Sequence, residues 1–120
     1  VVDQPDLCQF TAPAVVRRGP LTIALSTAGV SPALAARLRR DLEGQFGDEW
    51  KEILSVLGAF RRRLMANVDD SKRRHKLLAE ASALDLSSIV LEGGADALQR
   101  ELNAIADRQN VILDEERADD

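Results

Sequence analysis

A single β-hairpin signal near the start of the chain constrains its fold more than any other feature. Residues 21–26 alternate apolar with small or polar side chains, the two-residue period of a half-buried strand. Residues 9–16 form a second strand-like segment, and the sequence Arg-Arg-Gly-Pro at 17–20 marks a turn between the two. Pro13 cannot donate to a ladder, so the first strand lies at an edge or carries a bulge. Because a lone hairpin is marginally stable in water, this one needs another sheet or a second copy of itself.

Only helical patterns follow the hairpin. The first helix begins at Ser31, an N-cap residue followed by a proline, and extends to about Phe46 before Gly47 ends it. The others span about residues 48–67, 70–84 and 95–109, and their apolar residues are three or four positions apart. The apolar positions on these helices are Leu34, Leu38, Leu42, Trp50, Ile53, Leu57, Phe60, Leu64, Leu77, Leu78, Ala81, Leu84, Leu98, Leu102 and Ile105. The sequence therefore predicts an α+β fold, with an N-terminal hairpin followed by an all-α region of about four helices.

Composition narrows the class of protein. With 120 residues, of which 45% are hydrophobic, the chain has the size of one modest domain and can bury a core. No apolar run approaches the roughly 18 residues of a membrane span. The single cysteine, Cys8, and the single histidine, His75, cannot build a Cys-rich or paired-histidine zinc site. We read Cys8 as a small buried side chain and His75 as solvated surface, and we expect a reducing, cytoplasmic setting.

The net charge of −4 conceals three zones. Residues 7–40 contain five arginines and no acidic residue, residues 61–76 are strongly basic, and residues 77–120 are strongly acidic. The last two zones are typical of solvated helix faces. The acid-free zone also holds the turns of the chain, and a positive region in a negative protein points to a specific anionic ligand rather than to general polyanion affinity.

Residues 26–32, Ser-Thr-Ala-Gly-Val-Ser-Pro, are the segment most able to bind such a ligand. A strand ends there, a turn of small residues follows, and a capped helix begins, whose free amides favour an anion. Ser26 and Thr27 add hydroxyl donors, and Arg37 follows on the helix together with Arg39 and Arg40. Taken alone, the spacing favours an ordinary strand-to-helix junction over a ligand site.

The order of several motifs resembles that of the precorrin-2 dehydrogenase family, the oxidoreductases of siroheme synthesis. The resemblance rests on Val1-Val2-Asp3, on residues 5–10 and 13–18, on 21–24, and on 26–35. It is dense over residues 1–46 and fades beyond about residue 76. In this family an NAD-binding Rossmann domain precedes a dimerisation domain and a helical domain. The resemblance thus implies the end of a Rossmann-like domain at 1–4, its remainder absent from this chain, a dimerisation and substrate-binding region at 5–46, a helical region at 47–110, and an acidic tail at 111–120.

The resemblance also implies a function and a set of site residues. The function is NAD-dependent oxidation of precorrin-2 to sirohydrochlorin, with ferrous iron as a further substrate where the same site is a sirohydrochlorin ferrochelatase. Asp3 matches the family's catalytic aspartate. The family's Ser/Thr-Gly-Gly-x-Ser-Pro motif, which lines the tetrapyrrole site, falls on residues 27–32, with Ala28 in place of the first glycine. We take the substrate-binding residues to be Ser26, Thr27, Gly29, Ser31 and Arg37.

The expected partners are the tetrapyrrole and a second copy of the chain, with no nucleic acid and no membrane. The residues present hold no nucleotide-binding glycine motif and no metal site, so NAD is expected to be bound by the missing domain, and the fragment alone is expected to be inactive. The alternative hypothesis is a non-enzymatic helical module that binds an acidic partner or nucleic acid through the basic helices at 37–40 and 61–76. The scarcity of aromatic residues argues against nucleic acid.

Overall fold

The structure, a computed structural model, describes residues 13–113. In chain order the elements are β1 (Ala14–Arg18), β2 (Leu21–Leu25), α1 (Pro32–Gln45), α2 (Glu49–Asn67), α3 (Ser71–Ser82) and α4 (Leu86–Arg108). The predicted α+β class, a hairpin followed by four helices, is confirmed over these residues. The chain divides into two compact units, one up to Trp50 and one from Lys51 onwards. The predictions for Val1–Asp3, Cys8 and the tail after residue 113 lie outside the described residues.

The predicted hairpin is formed, with a shorter turn than the sequence indicated. β1 and β2 are antiparallel, with Val16 opposite Ile23 and Arg18 opposite Leu21. The two-residue connection is Gly19-Pro20, and Gly19 has a φ of 61°. A glycine with positive φ at the first central position is the requirement of a type II′ turn, whose twist matches that of the flanking strands. β1 therefore starts after Pro13 and continues two residues further than the sequence pattern indicated.

Helix α1 begins as predicted but buries a different face. The Ser31 side chain accepts a hydrogen bond from the backbone of Leu34, and Pro32 occupies the first turn. No residue of α1 is fully buried, and Leu34 and Leu38, which lie on the apolar stripe, are 43% and 38% exposed. The half-buried positions that recur three or four apart are Ala35, Arg39, Leu42 and Phe46. The aliphatic part of the Arg39 side chain thus contributes to the half-buried face of α1, where the apolar pattern predicts leucine.

The end of α1 lies where the sequence predicted it, but Gly47 does not form the cap. The helix ends at Gln45, and the glycines with positive φ in the described residues are Gly19, Gly29 and Gly94, not Gly47. The last turn is closed instead by a bond from the Phe46 amide to the Leu42 carbonyl, and by side-chain donors described below.

The second unit contains the main apolar core. Helix α2 contributes Ile53, Phe60 and Leu64, which are fully buried and follow the predicted spacing. The remaining buried side chains of this unit are Val68, Leu77, Ala81, Leu86, Val90, Leu98, Leu102, Ile105, Ala106 and Val111. Leu57, Leu78 and Leu84 are half-buried rather than buried. The described helices include none that is long and apolar enough to cross a membrane.

Helix α4 begins nine residues before the predicted start at about residue 95. It starts at Leu86, and Leu86 and Val90, four positions apart, are both buried. The glycine pair at 93 and 94 reads as a helix boundary, but only Gly94 leaves helical geometry, with φ 75° and ψ −176°. The element is therefore two helical segments joined at a kink. Residues 89–94, which superficially resemble a nucleotide-binding turn, lie within it.

Candidate functional site

The segment between β2 and α1 is a tight, internally bonded loop. The Val30 amide donates to the Thr27 carbonyl at 3.0 Å, which closes a four-residue turn. Its two central residues, Ala28 and Gly29, have φ of 56° and 79°. Positive φ at both central positions defines a type I′ turn, which favours glycine. Ala28 adopts the left-handed conformation although it carries a Cβ, at a cost of about 1–2 kcal/mol. The predicted turn is thus formed without the family's first glycine.

The hydroxyl groups of this loop bond mainly to the loop itself. Thr27 Oγ1 donates to the Ser31 carbonyl at 3.2 Å and accepts from the Ser31 amide at 3.1 Å. Ser26 Oγ accepts from the Ala28 amide at 3.0 Å. The sequence suggests ligand donors at Ser26 and Thr27, but the hydrogen of Thr27 is used internally. These two residues therefore fix the shape of the loop.

The start of α1 offers fewer free amides than a typical helix N-terminus. Ser31 Oγ accepts from the Leu34 amide at 3.1 Å, the Ala35 amide bonds to the Ser31 carbonyl, and Pro32 has no N–H. The Ala33 amide is the donor of the first turn that remains for a ligand. In the described residues the Ser31 hydroxyl hydrogen also has no acceptor, so Ser31 can donate outward while it caps the helix.

Arg18 has a role that the sequence did not indicate. Its guanidinium donates to the carbonyls of Phe46, Glu43 and Arg17 at 2.6, 3.2 and 2.9 Å. The first two carbonyls belong to the C-terminal end of α1, where a helix leaves acceptors unpaired and carries partial negative charge. Arg18 is thus a C-capping cation of α1, and its charge is not available to a ligand.

The other arginines of the acid-free zone are more accessible. Arg37 Nε lies 4.0 Å from Asp41 Oδ2, and the two side chains are 71% and 62% exposed, so this ion pair is weak. Arg39 pairs with Glu43 at 3.5 Å and is more covered. Arg17 and Arg40 are exposed, and neither side chain has a partner within the described residues. The positive charge that a ligand can reach in this unit is therefore at positions 17, 37 and 40.

The basic stretch of the second unit is also partly used inside the protein. Arg74 donates to the carbonyls of Val68 and Asp69 at 2.6 and 3.0 Å, beyond the end of α2. Arg73 donates to the Gln109 carbonyl at 2.6 Å, at the end of α4. Arg63 donates to the side chain of Asn103 at 3.3 Å. His75 is exposed, as predicted.

The structure thus brings four of the predicted site residues together in one loop. These are Ser26, Thr27, Gly29 and Ser31, all between β2 and the first turn of α1. Arg37 lies further along α1, with its side chain in solvent. Asp3, the predicted catalytic residue, is outside the described residues.

Comparisons with known proteins support the family resemblance from which these site residues were predicted. Residues 18–45 match the family model described as "Sirohaem biosynthesis protein central". Siroheme synthases from Thioalkalivibrio sulfidiphilus and Methylococcus capsulatus are 29% and 31% identical over 102 and 107 residues, which are 85% and 89% of the chain. These stretches are 21% and 23% of the two relatives. The solved structure of SirC, a precorrin-2 dehydrogenase, matches with a TM-score of 0.61 and 26% identity, over 77% of this chain and 45% of SirC.

The predicted family is therefore confirmed: over the residues matched, the chain is a relative of the siroheme biosynthesis proteins. Among them its relatives are siroheme synthases and precorrin-2 dehydrogenase. The chain spans about a quarter or less of the curated siroheme synthases that it matches.

Proposed function

We propose that this chain forms the tetrapyrrole-binding part of a precorrin-2 dehydrogenase, which oxidises precorrin-2 to sirohydrochlorin in siroheme biosynthesis. The observation that carries the proposal is the loop at residues 26–31. It has the predicted turn of small residues and the predicted capped helix start, and all of it falls inside the family match at 18–45. In the same proposal, ferrous iron is a second substrate if the site also performs chelation.

The chemistry of the loop suits an anionic macrocycle. The family's substrate carries eight carboxylates, and residues 7–40 contain no acidic residue. Arg37 is exposed and weakly paired, and a guanidinium binds a carboxylate through two parallel hydrogen bonds. The Ser31 hydroxyl and the Ala33 amide supply neutral donors at the helix start. Gly29, at φ 79°, allows close approach of the backbone.

Asp3 is proposed as the catalytic carboxylate. Removal of hydride from the substrate leaves a proton to be taken up, and a carboxylate is a suitable acceptor. The same group can accept pyrrole N–H protons when a metal ion is inserted. This assignment rests on the match of Val1-Val2-Asp3 to the family motif.

NAD is the hydride acceptor in this proposal, but the residues of this chain do not fit it. The sequence contains no G-x-G-x-x-G pattern, and the turn between β2 and α1 follows an antiparallel hairpin rather than a strand of a parallel βαβ unit. We therefore assign the binding of NAD to none of these residues. The domain assignment at 5–46 and 47–110 and the cytoplasmic setting likewise stay proposals.

Titration with sirohydrochlorin tests the proposed function. We expect the chain to bind it with a change in the visible spectrum, and the Arg37→Ala variant to bind about fivefold more weakly, because one exposed charge-assisted bond is worth about 1 kcal/mol. Arg61→Ala is the matched control, since Arg61 is an exposed arginine of the second unit. No spectral change with the unaltered chain would reject the proposal. An equal loss in both variants would reject Arg37 as a specific contact.

We further propose that the chain is a homodimer, joined through the hairpin. In the first unit, Val16 is the one apolar side chain of the described residues that is fully buried, while Val30, Leu34 and Leu38 are exposed. Within the described residues, both outer edges of the two-stranded sheet lack a partner strand. Such a thin core and open sheet are stabilised when a second copy covers them.

Sedimentation at micromolar concentration checks the dimer. We expect the mass of two chains for the unaltered protein. Ala24 pairs with Val15, next to the Val16–Ile23 pair. Because hydrogen-bonded and non-hydrogen-bonded pairs alternate along an antiparallel ladder, the Ala24 amide points away from β1, towards the open edge of β2. Ala24→Pro should therefore shift the protein towards monomer if β2 forms the contact, and Val15→Pro should do so if β1 forms it. A monomeric unaltered chain would refute the proposal.

The alternative, a non-enzymatic module that uses its basic helices, gains no support from the structure. Arg63, Arg73 and Arg74 bond to acceptors of the protein itself. Their charges are therefore committed to helix ends and to a neighbouring amide side chain. If the chain bound duplex DNA at physiological salt and left the sirohydrochlorin spectrum unchanged, this alternative would replace the proposed function.

A further inference from the structure

The structure assigns to Arg18 the task of positioning the candidate substrate loop from the opposite end of α1. We propose that Arg18 is a positioning residue: it fixes the C-terminal end of α1 to the hairpin and thereby holds the loop at the helix N-terminus in its bonded form. The effect on ligand binding rests on the proposed function, whereas the effect on the loop does not.

The path of the chain in the first unit brings Arg18 to the end of α1. β2 leads into the loop, the loop leads into α1, and α1 contacts β1 as it returns along the hairpin. Arg18 lies at the turn end of the hairpin, opposite Leu21, and its guanidinium reaches the last turn of α1. Five strand residues span about 17 Å and fourteen helix residues about 21 Å, so the two ends meet. Helix α1 is therefore held to the hairpin covalently through the loop, by its contacts with β1, and by hydrogen bonds through Arg18.

The attachment through Arg18 is important because little else holds α1. None of its residues is fully buried, and Val16 is the one fully buried apolar side chain of the described part of this unit. Arg18 donates from two different nitrogens to the carbonyls of Phe46 and Glu43, at 2.6 and 3.2 Å. A guanidinium at a helix C-terminus satisfies orphan acceptors and also interacts favourably with the helix dipole. A lysine has one point charge and cannot reproduce this planar fork.

The loop responds to the position of α1 because Ser31 belongs to both. The Ser31 amide and carbonyl bond to Thr27 Oγ1 within the loop, while Ser31 Oγ caps the helix at Leu34. Movement of the helix start therefore breaks loop bonds and cap together. With its C-terminal end released, α1 pivots about the loop, and the donors proposed to face the tetrapyrrole lose their fixed arrangement.

The neighbouring Arg17 is a matched control. It has the same side chain, lies one position away on the opposite face of the hairpin, is exposed, and has no side-chain partner in the part of the chain that the structure describes. Removing Arg17 subtracts the same charge from the same strand but leaves α1 attached.

The test is backbone amide hydrogen exchange on the 120-residue chain, read by NMR at low temperature. In Arg18→Ala we expect the protection of the Leu34 and Ala35 amides to fall at least fivefold, while the amides of Ile23 in the hairpin and Leu102 in the second unit keep theirs. Arg17→Ala should leave all four unchanged, and Arg18→Lys should fall between the two. Equal loss in the Arg17 and Arg18 variants, or no loss in Arg18→Ala, would overturn the proposal. Loss of Ile23 protection to the same extent in both Arg18 variants would show general unfolding of the unit instead, and would also overturn it.

Sirohydrochlorin titration of the same proteins separates this inference from the proposed function. The control for this titration is Arg61→Ala, since Arg61 is an exposed arginine of the second unit. We expect the dissociation constant to rise about fivefold in Arg18→Ala and to stay within twofold of the unaltered chain in Arg61→Ala. Equal losses in the two variants would overturn the effect of Arg18 on binding. If the unaltered chain does not bind sirohydrochlorin, the proposed function fails, while the exchange data still decide the role of Arg18.

Discussion

Replacement of Phe60 by alanine is expected to lower the free energy of unfolding of the second unit by about 3–5 kcal/mol. Phe60 has no exposed surface and lies on α2 between the equally buried Ile53 and Leu64. Removal of the ring deletes its burial and leaves a cavity that close-packed neighbours fill only in part. Because a domain of this size is stable by only about 5–15 kcal/mol, such a loss takes a large share of the total.

Urea denaturation followed by circular dichroism measures this loss. Met65→Ala is the control, since Met65 lies on the same helix but is 50% exposed, and we expect it to change the free energy by less than about 1 kcal/mol. Similar losses in the two variants would mean that α2 does not bury the face that carries Phe60.

That face of α2 could be predicted from the sequence because its burial follows local periodicity. Ile53, Phe60 and Leu64 are seven and four residues apart and face one side of a straight helix. The same reasoning failed for Leu34 and Leu38 of α1, which remain exposed. Periodicity identifies an apolar face, but the tertiary partner decides whether that face is covered. In the first unit, α1 contacts β1 through the adjacent face, to which Arg39 contributes its stem.

The capping arginines show a second limit of the sequence. Arg18 and the Phe46 carbonyl are 28 positions apart, and Arg73 and the Gln109 carbonyl are 36 apart. No local pattern links such residues, so a run of arginines reads as a ligand site or as solvated surface. The structure separates the arginines into two groups: those that cap helix ends, such as Arg18 and Arg73, and those whose side chains are exposed. Only the exposed group is available to an anionic ligand.

The candidate site could be predicted from the sequence only in part. Its backbone could be predicted, because a small-residue turn followed by Ser-Pro specifies a tight reversal and a capped helix from local chemistry. The use of its hydroxyls could not, since Thr27 reaches the Ser31 backbone only once the turn has closed. The sequence suggests a set of ligand donors in this segment. In the structure the Thr27 hydroxyl is used inside the loop, and the Ser31 hydroxyl hydrogen remains available to a ligand.

Replacement of Gly94 by alanine is expected to destabilise the second unit by about 1–3 kcal/mol, because only glycine adopts its backbone conformation without strain. Gly94 has φ 75° and ψ −176°, at the kink within α4. A Cβ there would meet nothing within 4 Å, so the penalty is conformational and not a steric clash.

Gly58→Ala is the control within the same unit, and we expect it to change the stability in the opposite direction. Gly58 lies inside α2, and a Cβ there would make an ordinary contact of 3.6 Å with the side chain of Arg62. We expect this change to stabilise the unit by about 0.5–1 kcal/mol, the usual helix preference for alanine over glycine. If Gly94→Ala instead stabilised the protein as Gly58→Ala does, α4 would be a continuous helix in solution. The kink divides α4 into a segment that buries Leu86 and Val90 and a segment that buries Leu98 and Leu102. The sign of the Gly94 effect therefore decides whether the two segments of α4 meet at a kink that depends on this one glycine.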